Sequence, residues 1–202
     1  KTREVIMKVF KSEKGKLIKF KENKFNLEKD IQKVTEENLN TIFGLNFIKS
    51  EFIIKDFRID TLAYDEQSNS FVIIEYKRGN SYSVVDQGVT YISLMLNNKA
   101  DFVIEYNENT GKNLKRKDID WSQIRIIIIA DSFNQYQKGA LGFKNLPIDL
   151  FQAKQFENGI IIFNQVKSSI KATASLKTVQ KQGNELEKIT KEVITYNLEH
   201  HF

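Results

Sequence analysis

Phe57-Arg58-Ile59-Asp60-Thr61-Leu62 and, after a short polar stretch, Val72-Ile73-Ile74-Glu75-Tyr76-Lys77 are the segments from which the fold is read. Alternate residues of a strand share a face. Phe71, Ile73, Glu75 and Lys77 therefore fall on one side of the second segment, and Val72, Ile74 and Tyr76 on the other. Both sides are mostly apolar, which predicts a central strand covered on both faces. A carboxylate and an ammonium on such a strand need partners, because burying an uncompensated charge is costly. Asp65-Glu66-Gln67-Ser68-Asn69 has the composition of a turn, so the two segments read as a hairpin that brings Asp60 near Glu75. Neighbouring carboxylates repel, and a divalent cation removes that repulsion. Lys77 would then orient or deprotonate a water beside the ion.

Outward from this hairpin the chain alternates helices and strands. A strand is predicted at 47–54, preceded by a helix over 26–43 with Asn26 as its cap and Gly44 as its stop. At about 100° per residue Glu28 falls in the stripe of Ile31, Thr35, Leu39 and Ile42, while Glu36 and Glu37 fall away from its centre. Glu28 is thus the helix carboxylate expected to face the core. After the hairpin a helix is predicted over 84–98, with Ser83 and Asp86 close to a capping box. Its Gln87 shares a side with Tyr91 and Leu94 and points toward the same site. A strand at 100–106, a polar loop through Lys117 and a buried strand from Ile124 to Ala130 follow. A helix from Asp131 or Ser132 to about 143 leads to strands at 148–156 and 159–165, turning at Asn158-Gly159. At the front, 4–10 and 16–21 form a hairpin around Lys14-Gly15. Hairpins mixed with helical crossovers predict an α/β fold with a mixed sheet. The chain divides into an N-terminal β-hairpin (1–24), one main domain (25–166) and a Lys-, Ser-, Gln- and Thr-rich linker or tail (167–202).

Composition narrows the chemistry. The 202 residues include 15 Phe and 7 Tyr, enough apolar bulk to exclude a disordered polymer. There is no Cys, hence no disulfide framework, thiolate metal site or cysteine nucleophile. The two histidines, His200 and His201, sit at the extreme end, which argues against a Ser-His-Asp triad or a His-rich metal site. Metal chemistry must rest on carboxylates, which favour magnesium or manganese. The net charge of +5 is concentrated in residues 1–24, where nine Lys/Arg face three Glu. A basic surface for nucleic acid would therefore come from that hairpin, with Lys16 and Lys19 beside Phe10 and Phe20. Arg58 and Arg78 flank the acidic residues as phosphate clamps or as solvated strand ends. Trp121 reads as a cap on the core. No apolar run is long enough to span a bilayer and no leader is evident, which predicts a cytoplasmic address with no membrane partner.

The ordered set of helix Glu28, then Asp60, then Glu75-Tyr76-Lys77, then a helix with Gln87, resembles the PD-(D/E)XK nuclease superfamily. Arg58-Ile59-Asp60, Ile74 to Gly79 and Val85 to Tyr91 look most like its NucS-like branch. More narrowly, the chain is similar to bacterial proteins labelled "predicted transport protein" that carry such a domain before a small C-terminal one. Residues 193–202 look like the opening of that second domain. The transport label finds no support in the sequence.

The resemblance implies a restriction-endonuclease-like mixed β-sheet core flanked by helices. It implies a nuclease that hydrolyses phosphodiester bonds in DNA with Mg2+ or Mn2+. Asp60, Glu75 and Glu28 would hold the metal, Lys77 would act on the attacking water, and Gln87 would orient the site. Many relatives are homodimers. Two other readings remain open at this point. One is a nucleic-acid-binding module that no longer cuts, and the other is a buried Glu75–Lys77 ion pair with a structural role only.

Overall fold

A computed structural model describes residues 7–25, 27–78, 84–141, 143–144, 147–167 and 174–175. Four strands and two helices open the chain. They are β1 (Phe10–Glu13), β2 (Lys16–Lys19), β3 (Glu22–Asn23), α1 (Glu28–Glu37), α2 (Leu39–Phe43) and β4 (Asn46–Ile54). The hairpin strands β5 (Phe57–Asp65) and β6 (Ser70–Lys77) follow, then α3 (Val84–Asn97), α4 (Lys99–Thr110), β7 (Arg125–Ala130) and α5 (Gln135–Ala140). The short β8 (Phe143–Lys144), β9 (Ile148–Phe156), β10 (Ile161–Val166) and the short β11 (Ala174–Ser175) complete the order.

Seven strands form one mixed sheet in the order β10-β9-β7-β6-β5-β4, with β3 added to the edge of β9. The meander β4–β5–β6 is antiparallel, whereas β6–β7 and β7–β9 are parallel and reached through helices. This is the mixed α/β architecture expected. Helices α1 and α2 cover one face, where Ile31 and Leu39 pack on Val72, Ile74, Tyr76, Ile127 and Ile129. Helices α3 and α4 cover the other, where Tyr91, Met95, Phe102 and Tyr106 pack on Phe71, Ile73, Ile126 and Ile128. Gly88 brings α3 so close to β7 and β9 that a Cβ there would lie 2.6 Å from Ile148 Cδ1.

Four expectations are corrected. The leading hairpin turns at Lys14-Gly15, both at positive φ, but among the described residues its first arm is Phe10–Glu13, and 7–9 are not part of it. Residues 1–6 lie outside the described residues, as do Asn26, Gly79, Ser83, His200, His201 and all of 176–202. The helix over 26–43 is two helices that break at Asn38, where φ and ψ leave the helical region. Residues 100–106 are not a strand but part of α4. Val103, Ile104 and Tyr106 favour strands, yet Phe102 and Tyr106 stand one helical turn apart and bury a single face against Phe52, Phe71 and Tyr64. The helix after Asp131 begins only at Gln135, where Asn134 and Gln137 form a capping box. Trp121 does cap the core, with its ring 5.9 Å from Phe71 and its indole N–H donating to Arg116 O. Among the described residues no helix is long and apolar enough to cross a membrane.

Candidate active site

The site lies where β5 and β6 part. Their ladder ends at Thr61–Ile74, while β6 stays paired with β7 as far as Lys77–Ala130. On the other side β4 pairs with β5 at Ser50–Thr61 and Phe52–Ile59 but skips Glu51–Asp60. Glu51 has φ of 53°, a left-handed value that is costly for a non-glycine residue inside a strand. Asp60 therefore has no ladder partner on either side. Side chains replace it, because an unpaired backbone group is costly to bury. The Asp60 N–H donates to Glu75 Oε1 at 3.2 Å, and the Asp60 carbonyl accepts from Gln32 Nε2 at 3.0 Å. In return the Tyr76 N–H donates to Asp60 Oδ2 at 3.1 Å.

Glu75 is only 2% exposed and projects toward α3. Its Oε2 accepts from Gln87 Nε2 at 3.0 Å and from the Lys77 ammonium at 3.4 Å. The second proton of the Gln87 amide reaches Tyr91 Oη at 3.1 Å, and the Tyr91 hydroxyl donates to Arg58 O at 2.8 Å. Burial, reinforced by Glu75, pushes the Tyr91 hydroxyl up, so it stays protonated and able to donate. This chain of donors fixes which way the Gln87 amide points.

Burial is also the main reason that both carboxyl groups resist ionisation. It pushes Asp60 up, against the Tyr76 N–H and Lys77, which hold it down. It pushes Glu75 up to about 8, with the Asp60 charge as the second cause. Two acids so placed would rather share a cation than both stand bare.

Asp60, Glu75, Lys77 and Gln87 are thus brought together. Glu28 is not. Its angle on the helix places it in the apolar stripe, but it is the first residue of α1 and lies beyond the packed region, so it is exposed. Its carboxylate accepts the Arg78 N–H at 2.6 Å instead, at the edge of the depression that also contains Lys77. The helix residues that do reach the site are Gln32 and Glu36. Gln32 is 8% exposed, and its amide lies within 3.0–3.3 Å of Asp60 O, Glu36 Oε1, Ser50 Oγ and Glu51 Oε1. Glu36 accepts the Thr61 hydroxyl, so the Tyr76 hydroxyl donates to Thr61 Oγ1 on the same buried side. Neither residue is legible from the apolar stripe, because each lies to one side of its centre. Arg58 is exposed and paired with Glu51 at 2.9 Å. Lys16 and Lys19 stand exposed on β2, opposite Glu13 and Phe10.

Among the described residues no three acidic or histidine side chains form a ready-made metal cage. The donor set of Asp60 and Glu75 is nonetheless all oxygen and carries repulsion that a dication would cancel, so it fits a hard cation.

No family model matches the chain. It is 49% identical over 195 residues to an uncharacterised protein of Haemophilus influenzae. That match covers 96% of this chain but 64% of the relative, so the chain spans just under two thirds of the relative's length. Among solved structures, a repair endonuclease from Pyrococcus abyssi is 22% identical, covering 60% of this chain and 45% of that one, with a TM-score of 0.32. A complex of EndoMS with dsDNA is 20% identical, covering 64% and 47%, with a TM-score of 0.39.

Proposed function

We propose that the chain is a divalent-cation-dependent nuclease that hydrolyses phosphodiester bonds in DNA. The observation that carries this reading is the reciprocal hold of Asp60 and Glu75, with an ammonium and an amide both on Glu75 Oε2. An ion-pair network with only a structural role would close tightly on itself. Here the Lys77 contact is long, at 3.4 Å, and it does not offset the burial and the Asp60 charge that oppose ionisation of Glu75.

Asp60 and Glu75 are the residues that would hold Mg2+ or Mn2+. Bound there, the ion would act as a Lewis acid and make a water more acidic. The remaining work falls to the chain's own groups. Lys77 keeps two further ammonium protons beyond the one on Glu75, and these serve the attacking water or the charge that builds on the phosphate. Gln87 holds Glu75 Oε2 in place and is itself held by Tyr91. In the reaction the oxygen of water bonds to phosphorus, the bond to the leaving sugar oxygen breaks, and that oxygen takes a proton. Arg58, Arg78, Lys16 and Lys19 supply positive charge for DNA phosphates away from the bond that breaks. Glu28 does not converge with the two acids, and its part is to hold the backbone after Lys77 through the Arg78 N–H.

The test is incubation of plasmid and single-stranded DNA with Mg2+ or Mn2+, beside Lys77→Ala and a chelator control. Cleavage that needs the cation and drops at least about 100-fold in Lys77→Ala is expected, from loss of a group acting in the transition state. Equal behaviour of wild type and variant sinks the reading. DNA binding without cleavage in either protein points to the binding module instead.

A further inference from the structure

The sheet has two outer strands, β4 at one end and β10 at the other. An outer strand shows a row of unpaired N–H and C=O groups, which invites pairing with another chain unless something blunts it. β4 is blunted. Its register slips between Phe47 and Lys49, Glu51 takes a left-handed φ of 53°, and Lys49 and Glu51 place charges along it. Bulges and charges of this kind turn a strand away from edge-to-edge association.

β10 has none of these devices. Its residues Ile161-Ile162-Phe163-Asn164-Gln165-Val166 include no charge, no proline and no glycine, in a chain of which 28% is charged. The whole strand follows β9 without a shift. Short, uncharged, β-prone segments are the ones that pair most readily. Ile161, Ile162, Phe163 and Val166 are only half-buried, and Asn164 and Gln165 are exposed.

The hairpin of β9 and β10 shows which groups face outward. The Phe156 N–H donates to Ile160 O at 2.8 Å, and hydrogen-bonded pairs alternate along an antiparallel ladder. Ile162, Asn164 and Val166 therefore bond to Lys154, Gln152 and Leu150. The alternation holds on the far side of β9, where the Glu157 N–H turns away from β10 and donates to Lys21 O at 3.0 Å. The N–H and C=O groups of Ile161, Phe163 and Gln165 thus point away from the sheet. Among the described residues no strand pairs with that side of β10, and no backbone group bonds to it.

The strand that fits this edge is the same strand of a second copy. A two-fold axis normal to the sheet at Phe163 lays two β10 strands antiparallel and keeps each face of the sheet on its own side. Ile161 then meets the partner's Gln165, and Phe163 meets the partner's Phe163. Every outward N–H and C=O group of those residues finds a mate, whereas a slip of two residues leaves some without one inside the strand. The aromatic group of Phe43, Phe151 and Phe163, with Phe43 centroids 4.9 and 5.9 Å from the other two rings, is extended across the axis. Aromatic pairs across strands are among the favourable ones. The strand is neutral, so two copies of a chain with net charge +5 meet there without like charges opposed along the ladder.

We propose that the chain forms a two-fold dimer in which β10 pairs antiparallel with β10 of a second copy, centred on Phe163, so that the two sheets run on as one. This interface stands independently of the nuclease reading.

The test is sedimentation equilibrium of the full chain at about 1 to 100 µM, a span that covers weak as well as firm association. Wild type is expected to be dimeric within it. Gln165→Pro removes an N–H that points outward, so it costs the protomer no ladder bond but blocks the partner strand. Asn164→Lys, at an exposed position, sets charge on the edge and serves as a second variant if proline disturbs folding. Both are expected to weaken dimerisation by at least about tenfold, the effect of losing roughly one such bond. Ile53→Lys, at an exposed position on β4, is expected to leave the dimer intact.

The register has its own test, since the chain contains no Cys. Ile162 faces the partner's Asn164 in a non-hydrogen-bonded pair, where Cα atoms about 4.5 Å apart lie within reach of a disulfide. Ile162→Cys and Asn164→Cys proteins, mixed and then oxidised, are expected to form a cross-linked dimer. Either protein alone is expected not to, because its cysteines sit diagonally at about 7–8 Å. A wild type that stays monomeric at about 100 µM overturns the proposal. So does a dimer that both edge variants leave intact, or one that Ile53→Lys weakens equally. A dimer whose mixed cysteine proteins fail to cross-link overturns the pairing centred on Phe163.

Discussion

Asp60 and Glu75 hold each other across the point where β5 and β6 separate. The amide of Asp60 donates to Glu75 Oε1 at 3.2 Å, and the amide just after Glu75 donates to Asp60 Oδ2 at 3.1 Å. Each acid stands in for a carbonyl that the neighbouring strand has withdrawn. The cost is that two carboxyl groups meet in a buried place, and their titration should report it.

Glu75 is pushed up to about 8, so near neutral pH it is largely protonated in the cation-free protein. A cation held there as proposed would displace that proton. Calorimetric titration with Mn2+ at pH 7 is expected to release protons, seen as a heat that changes with the ionisation enthalpy of the buffer. Affinity should rise with pH and level off above about 8. Binding that is indifferent to pH between 6 and 9 contradicts the arrangement.

The same shift has a sign for stability. A carboxyl whose folded value lies above its unfolded value stabilises the fold most below the unfolded value, and that contribution is lost as pH rises toward the folded one. Wild type without cation should therefore lose Tm as pH climbs from about 5 through 8. Glu75→Gln keeps the shape and removes the charge, so its Tm should flatten over that range and exceed wild type at pH 9. Its cleavage should fall by at least about 100-fold, with the lost cation site. A parallel Tm profile for the two proteins would contradict the assignment of the burden to Glu75.

Gln32 is predicted to be a positioning residue. Its amide is the donor to Asp60 O and lies among the carboxylates of Glu36 and Glu51. Gln32→Met fills the space without donating, leaving a buried carbonyl unpaired at a cost of about 1–3 kcal/mol. Mn2+ affinity should weaken by about tenfold and kcat should fall with little change in KM, since Asp60 moves while the DNA surface does not. A variant that loses only Tm, with Mn2+ affinity and kcat intact, would show Gln32 to be mere packing.

Phe102 tests the correction made to α4. It is fully buried, with ring centroids 5.3 Å from Phe52 and 5.8 Å from Phe71. Phe102→Ala should cost about 3–5 kcal/mol in denaturant unfolding. Ile104→Ala, on the exposed side of the same helix, should cost well under about 1 kcal/mol. A strand at 100–106 would place 102 and 104 on one face and make the two costs alike.

The contrast between these residues shows where the sequence was legible. The strands 57–65 and 70–77 were readable because apolar residues on both faces leave few alternatives, and Glu75 and Lys77 stand out against them. Asp60 followed from the hairpin turn. Gln87 followed from its helical spacing to Tyr91. Residues 100–106 misled because β-branched and aromatic types outweighed a weak four-residue period, and tertiary packing decided otherwise. Glu28 misled because a helical wheel gives an angle but not a depth, and its turn of helix lies past the end of the core. Glu51 could not be read at all. Its left-handed φ within β4 is imposed by the way the meander opens around Asp60, which no local pattern encodes.

The opening between β5 and β6 also separates two kinds of inheritance. The proposed chemistry is lodged in a seam where the sheet makes no ladder bonds of its own, while the continuous strands on either side carry the burial that keeps the molecule folded. A descendant could trade either acid for a neutral side chain of similar shape and keep every strand in register. Silent and working versions of such a scaffold would then be hard to tell apart by shape, and only the seam would record which one a given chain is.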